Sequence, residues 1–141
     1  MAPDEFERSV PAAVDELSAL LDAFQGWLEE RGVPRVPRDD LVLALDEAFS
    51  NAVVHGYAGS PGEVTVSARA SRAGVELTVA DSAPAFDPFA GAPAPDLDAP
   101  VEERAIGGLG VFLIRELMDR AEYRREGDRN VLLMTRAWSP G

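Results

Sequence analysis

Apolar positions along the chain recur with two different periods, and these predict helices and strands in a mixed order. Helical spacing runs from Ala12 to Glu30, from about Arg38 to His55, and from Gly108 to Asp119. Strand-like alternation marks Phe6 to Val10, Val64 to Ala70, Val75 to Val79, Glu122 to Glu126 and Asn130 to Arg136. The last four segments form two pairs, each separated by a short turn, so we predict two β-hairpins.

The order strand, two helices, hairpin, loop, helix, hairpin favours one fold class. Strands joined as hairpins make a sheet that is mostly antiparallel or mixed, and the helices then cover one face. We therefore predict an α/β (α+β) two-layer sandwich without the repeated βαβ units of a Rossmann fold. The length of 141 residues fits one domain, residues 1–141.

A stretch rich in alanine and proline, from Ser82 to Pro100, interrupts this order. Loops longer than about 12–15 residues are uncommon inside compact domains and are often functional. The stretch follows Asp81 and leads toward Gly107, so we predict a lid over a bound ligand, at about residues 82–106. The alternative is a disordered insertion.

The second predicted helix carries polar residues at Glu47, Asn51 and His55, every fourth position of an otherwise apolar segment. Side chains at this spacing lie along one face of a helix. An unpaired buried carboxylate is costly, which indicates that the face borders a cleft, a metal or a ligand. The alternatives are a solvated carboxylate and a tolerated surface asparagine.

Charge and composition narrow the possible partners. The net charge of −12 argues against binding to nucleic acid or to anionic lipid. All basic residues are arginine, which excludes P-loop NTPases and Schiff-base chemistry, and the absence of cysteine excludes thiolate sites. No apolar run is long enough for a membrane span, and the acidic start is not a secretory signal. We therefore expect a cytoplasmic protein.

The candidate residues are of the types expected in a nucleotide-binding site. Gly107, Gly108 and Gly110 open the third helix, where backbone N–H groups can bind phosphate. Asn51 offers a neutral oxygen for Mg²⁺, and Glu47 can accept a proton near a terminal phosphoryl group. Asp81, at a strand end, can accept a hydrogen bond from an exocyclic amine such as that of adenine. Each feature alone has a structural alternative.

Three motifs together carry a family resemblance. The segment Asp46–Tyr57 resembles the N-box of the GHKL (Bergerat-fold) ATPases, and within them it is most similar to that of the anti-sigma-factor serine kinases. Val79–Pro88 resembles their G1 box, Ile106–Asp119 their G2 box, and Asn130–Met134 their closing strand. The resemblance extends in order over nearly the whole chain and implies a Bergerat ATP-binding fold.

The resemblance implies roles for individual residues. Glu47 would be the general base that activates a substrate serine. His55 stands at the family's position, which assigns it no definite role, and we expect a structural histidine rather than a catalytic one. Asn51 would hold Mg²⁺, Asp81 would bind the adenine amine, and Arg104 would be a cation near the γ-phosphate. The implied ATP-binding positions are Asn51, Asp81, Ala83, Arg104, Gly107, Gly108 and Gly110.

The resemblance also implies partners. They are a small serine-bearing antagonist protein as substrate, a sigma factor or comparable regulator held inactive, and a second copy of the chain in a homodimer. One position departs from the family, because Ala83 replaces the G1 glycine. A positive φ there would strain the backbone. The alternative function is therefore a non-catalytic or nucleotide-gated switch module that binds regulators without phosphorylating them.

Overall fold

Three helices pack on one face of a five-stranded sheet in the computed structural model, which describes residues 4–89 and 108–138, and of residues 108–111 only the backbone. A 3-10 turn, Val14–Glu16, precedes the first helix, and a π-helical turn, Ala52–Gly56, follows the second. The strands are β1 Glu5–Pro11, β2 Glu63–Ser71, β3 Gly74–Asp81, β4 Arg120–Glu126 and β5 Arg129–Ala137, and the helices are α1 Leu17–Glu30, α2 Arg35–Asn51 and α3 Gly108–Leu117.

The two predicted hairpins, β2–β3 and β4–β5, lie side by side in the sheet. The strand order is β1-β2-β3-β5-β4, and every neighbouring pair is antiparallel. The prediction of a two-layer α+β sandwich is confirmed, and the described sheet contains no parallel pair. Because β3 pairs with β5, Asp81 at the end of one hairpin lies opposite Asn130 at the start of the other strand.

The core lies between the helices and the inner face of the sheet. Alternating residues of β2 and β3 are buried, as their period of two requires, while the residues between them face outward. Phe6 of β1 packs against Phe24 of α1 with ring centroids 5.4 Å apart, and Phe24 stacks on Trp27 at 6.1 Å. The largest fully buried side chains include Phe24, Leu28, Leu41, Leu45, Phe49, Leu77, Ile114 and Met134.

Helix α2, which carries the candidate chemistry, begins three residues earlier than its predicted start at Arg38. Pro37 lies in its first turn, where a missing N–H group leaves no helical hydrogen bond unmade. Asp40 pairs with Arg136 of β5, whose Nη2 lies 3.0 Å and whose Nε lies 3.1 Å from Asp40 Oδ2. This largely buried two-point contact ties the helix to the sheet.

None of the helices in the described ranges is long and apolar enough to cross a membrane.

Candidate functional site

The last turn of α2 carries Glu47 and Asn51, as the spacing predicted. Glu47 is partly buried, and this burial raises the pKa of its carboxyl above the ordinary value, with a further rise from the neighbouring Asp46 carboxylate. Asn51 is buried to 8 % exposure, and its Nδ2 finds no hydrogen-bond partner among the described residues. A buried polar group without a partner is rare in folded proteins and indicates a place for a ligand.

The helix does not continue in the α form to His55, contrary to the predicted stripe of three side chains. After Asn51 the chain makes a π-helical turn, closed by a hydrogen bond of 2.8 Å from the Tyr57 N–H to the Ala52 carbonyl. His55 lies within this π-helical turn and not in the α-helix that carries Glu47 and Asn51. Its ring stacks on Phe86, with centroids 6.0 Å apart. This contact supports the expected structural role of the histidine.

Tyr57 connects this turn to the end of β3. Its hydroxyl donates to the Glu63 carbonyl at 2.7 Å and accepts a hydrogen bond from the Ser82 N–H at 2.9 Å. The ring lies over Gly62, where a side chain would overlap it. The segment that follows Asp81 is therefore attached to the loop that follows α2.

Asp81 ends β3 and is buried to 7 % exposure. Its Oδ1 accepts hydrogen bonds from the Ala83 N–H at 2.9 Å and from Asn130 Nδ2 at 2.8 Å. Within the described residues, its Oδ2 accepts none. One oxygen therefore fixes the carboxylate, and the other remains available to a donor on a ligand.

Ala83, which stands where the family has glycine, is not strained. Ala58 is the only non-glycine residue with positive φ in the ranges 4–89 and 108–138, so the backbone of Ala83 lies in a region that alanine adopts readily. Its methyl group is buried and lies 3.5 Å from the position that a Cβ on Gly56 would take. The structure thus removes the backbone argument against a working site.

Sequence reasoning missed Asn130, which joins Asp81 to the segment after β3. It is buried to 5 % exposure, with its carboxamide hydrogen-bonded on both sides. A signal existed in the sequence, because Asn130 occupies the apolar phase of β5, two residues before the buried Leu132 and four before Met134. A polar residue in that phase must have partners.

The remaining predicted positions are only partly placed. Helix α3 begins at Gly108, as predicted, so Gly108 and Gly110 lie in its first turn. Arg104, Gly107 and most of the predicted lid fall outside the described residues. Phe89 packs under the guanidinium of Arg115, whose Cζ lies 4.4 Å from the ring centroid, so the start of the predicted lid segment contacts α3.

The site thus has two parts. One is the Glu47–Asn51 pair on α2, and the other is the corner formed by Asp81, Ala83 and Asn130. In the described part of the chain no hydrogen bond joins them directly; the His55–Phe86 stacking and the Tyr57–Ser82 hydrogen bond connect their supporting segments. The described residues contain no cluster of three or more His, Cys, Asp or Glu side chains suited to a metal.

The amino-acid sequence that forms this site matches a known family model. The model described as a histidine kinase-like ATPase domain matches residues 10–136. The chain belongs to the histidine kinase-like ATPase domain family. The resemblance to GHKL ATPases inferred from three motifs is therefore confirmed at the level of the family.

Within the histidine kinase-like ATPase domains, this chain is similar to serine-protein kinases. It is 28 % identical to the serine-protein kinase RsbW of Bacillus cereus (strain ATCC 10987 / NRS 248), over 92 % of this chain and 83 % of the relative. Identity to the serine-protein kinase RsbW of Bacillus mycoides (strain KBAB4) is 27 %, with the same coverage.

A solved structure supports the fold. The chain superposes with a TM-score of 0.66 and 20 % identity on the RsbU and RsbW domains of Rv1364c from Mycobacterium tuberculosis. The match covers 94 % of this chain and 32 % of that longer chain, so this chain spans about a third of its length.

Proposed function

We propose that the chain is an ATP-dependent protein serine kinase that acts as an anti-sigma factor. The observation that carries the proposal is the pairing of two side chains one helical turn apart. One is the Glu47 carboxyl, whose pKa is raised, and the other is the buried Asn51 carboxamide, whose Nδ2 has no hydrogen-bond partner among the described residues. A proton acceptor beside a neutral metal ligand is what phosphoryl transfer to a hydroxyl needs. Membership in an ATPase family and similarity to serine-protein kinases support the same conclusion.

The described residues fit a nucleotide with its magnesium ion. Asn51 can turn its carboxamide so that Oδ1 faces the ion, because no partner within the described chain holds Nδ2. Mg²⁺ is commonly bound by one or two protein oxygens together with phosphate oxygens and water. Bound Mg·ATP supplies the transferable phosphoryl group and a metal charge that neutralises it.

The chain's own residues then have separate tasks. Glu47 is placed to accept the proton of the substrate serine hydroxyl, whose oxygen would take the γ-phosphoryl group of ATP with ADP as the leaving group. Asp81 accepts a hydrogen bond from the adenine amine at Oδ2. The backbone at Gly108 and Gly110, with Gly107 and Arg104, holds the phosphates.

The proposed partners follow from the similarity to RsbW proteins. They are a small antagonist protein that carries the phosphorylated serine and a sigma factor or comparable regulator, bound by a homodimer of this chain. The proposed setting is the cytoplasm. The alternative, a switch module without catalysis, loses one of its supports because Ala83 is unstrained.

Transfer of labelled phosphate from ATP to a serine-bearing antagonist protein from the same genome tests the proposal. Glu47→Gln should slow transfer by about 10²–10⁴-fold, because only the proton acceptor is lost, while the Kd for Mg·ATP stays within about threefold. Glu76→Gln, on the outward face of β3, is the matched control and should retain wild-type activity.

The outcomes separate the two functions. ATP binding by the wild-type chain without transfer to any antagonist would favour the switch module. Equal transfer rates for the wild type and Glu47→Gln would contradict the assigned base. No heat on titration with millimolar Mg·ATP would contradict the kinase and leave only a switch module that works without nucleotide.

A further inference from the structure

Asn130 lies at the centre of the hydrogen bonds around Asp81. Its Nδ2 donates to Asp81 Oδ1 at 2.8 Å, to the Pro84 carbonyl at 3.1 Å and to the Ala83 carbonyl at 3.3 Å. Its Oδ1 accepts from the Tyr123 hydroxyl at 2.6 Å, the Phe86 N–H at 3.1 Å and Arg125 Nη1 at 3.1 Å. The carboxamide therefore binds the β3 end, the segment after it and β4 at once.

The donors and acceptors permit one orientation of this carboxamide. With the oxygen and nitrogen exchanged, the NH₂ group would face two groups that only donate, the Phe86 N–H and Arg125 Nη1, and the oxygen would face three acceptors. At 5 % exposure, water cannot relieve such a mismatch. Arg125 adds a second constraint, since its Nη1 also donates to the Ala83 carbonyl at 2.9 Å.

Side-chain hydrogen bonds fix the backbone of the segment that follows Asp81. The Ala83 carbonyl is held by Asn130 and Arg125, and the Ala83 N–H by Asp81. Every hydrogen bond that the Asp81 carboxylate accepts within the described chain ends on Oδ1, so the rotation of the carboxylate is fixed and Oδ2 points in one direction. This is the arrangement that a base-reading group requires.

We propose that Asn130, braced by Tyr123 and Arg125, is a positioning residue that holds Asp81 for the selection of adenine over guanine. The inference rests on the proposed ATP site at Asp81. A fixed carboxylate oxygen accepts a hydrogen bond from the 6-amino group of adenine, whereas guanine presents an acceptor at the same position. A carboxylate that is free to rotate loses this discrimination.

The ratio of nucleotide affinities distinguishes positioning from a purely structural role. A substitution that only loosens the fold weakens the binding of both nucleotides by the same factor, and the ratio stays constant. A substitution that releases Asp81 weakens the binding of Mg·ATP more than that of Mg·GTP, so the ratio of the affinity for ATP to the affinity for GTP falls.

The experiment measures the Kd of Mg·ATP and Mg·GTP by calorimetry for the full chain and its variants. Asn130→Ala should raise the Kd of Mg·ATP by about tenfold or more and change that of Mg·GTP by less than about threefold. Arg125→Ala tests the brace with little risk to folding, because Arg125 is exposed, and should shift the ratio in the same direction by a smaller factor. Thr135→Ala, on the outward face of β5, is the control and should leave the ratio unchanged.

Each result has a defined meaning. A wild-type chain that prefers ATP, with an unchanged ratio in Asn130→Ala and Arg125→Ala, overturns the positioning role and leaves the proposed kinase standing. A second possible result is that the wild-type chain binds ATP but transfers no phosphate, while the preference for ATP over GTP falls in the variants. This result supports the positioning role and contradicts the kinase. A wild-type chain that binds neither nucleotide overturns both proposals.

Discussion

A single carboxyl group, that of Glu47, links stability to the proposed chemistry. Burial, together with the charge of Asp46, raises its pKa in the folded chain, so folding favours the protonated form. The stabilisation is present below the pKa of the unfolded chain and is lost as the pH rises through the folded pKa. At neutral pH the ionised Glu47 therefore destabilises the fold, and the same shift makes it a better proton acceptor.

This linkage predicts how Glu47→Gln changes stability with pH. The variant lacks the buried charge, so it should be more stable than the wild type at pH 7, and the difference should shrink as the pH approaches 4. Urea unfolding followed by circular dichroism across this range measures the free energy of unfolding of both proteins.

The neighbouring charge provides the control for this effect. In an Asp46→Asn background the stabilisation by Glu47→Gln should be smaller, because one cause of the raised pKa has been removed. A difference that stays constant between pH 4 and pH 7 would contradict the assignment.

At the scale of elements, the π-helical turn after α2 determines how the two parts of the site approach each other. The turn brings Tyr57 over Gly62 and places its hydroxyl between the start of β2 and the end of β3. Any change that displaces the Tyr57 ring also displaces Ser82, the residue after Asp81. The geometry of the corner formed by Asp81, Ala83 and Asn130 thus depends on a turn that contributes no side chain to it.

Gly62→Ala tests this dependence. An added Cβ would overlap the Tyr57 ring, and such overpacking typically destabilises a protein by about 1–3 kcal/mol. We expect a fall of this size in the free energy of unfolding, measured by urea denaturation, together with weaker Mg·ATP binding.

Gly26→Ala is the matched substitution, because nothing lies within 4 Å of the added Cβ in α1. Alanine is the better helix former, so this variant should be stabilised, by about 1 kcal/mol at most. Equal effects at the two glycines would show that the contact with Tyr57 is unimportant.

The periodicity of the sequence was sufficient to predict the helices, the hairpins and the Glu47–Asn51 pair, because burial imposes regular spacing on each. It did not predict the π-helical turn, since the same residue types satisfy hydrogen bonds over four or five positions. It also predicted that the second helix starts at about Arg38, after Pro37, although proline is compatible with a first helical turn. Asn130 was missed because its partners lie in other segments, and only the pairing of β3 with β5 brings them together.

For the whole molecule, the net charge of −12 is the dominant electrostatic property. The described ion pairs are mostly exposed, such as Arg35–Asp39, and exposed pairs contribute little. Repulsion among the carboxylates should therefore exceed the attraction within such pairs.

Salt should accordingly stabilise this protein. Raising NaCl from 10 to 150 mM shortens the screening length from about 30 to about 8 Å. We expect the thermal unfolding temperature to rise by about 2–6 °C, which corresponds to roughly 1 kcal/mol for a domain of this size.

A less acidic variant, Glu7→Gln with Glu63→Gln, should show a smaller rise, because both carboxylates are exposed on the sheet and contribute to the repulsion. An unfolding temperature that falls with added salt would mean that ion pairs outweigh repulsion.

The hydrogen bond between Asn130 and Asp81 joins residues 49 positions apart, one from each hairpin. Each hairpin is a local structure, but this contact exists only after the hairpins have docked through β3 and β5. A ligand of this corner therefore binds the completed fold and neither the unfolded chain nor a separate hairpin. At a hundred times its Kd it would add about 2.7 kcal/mol to the stability of the native state. Only fully folded chains can therefore hold the ligand at this corner. Where the ligand is abundant, it would protect folded chains from proteolysis but not chains that are still unfolded.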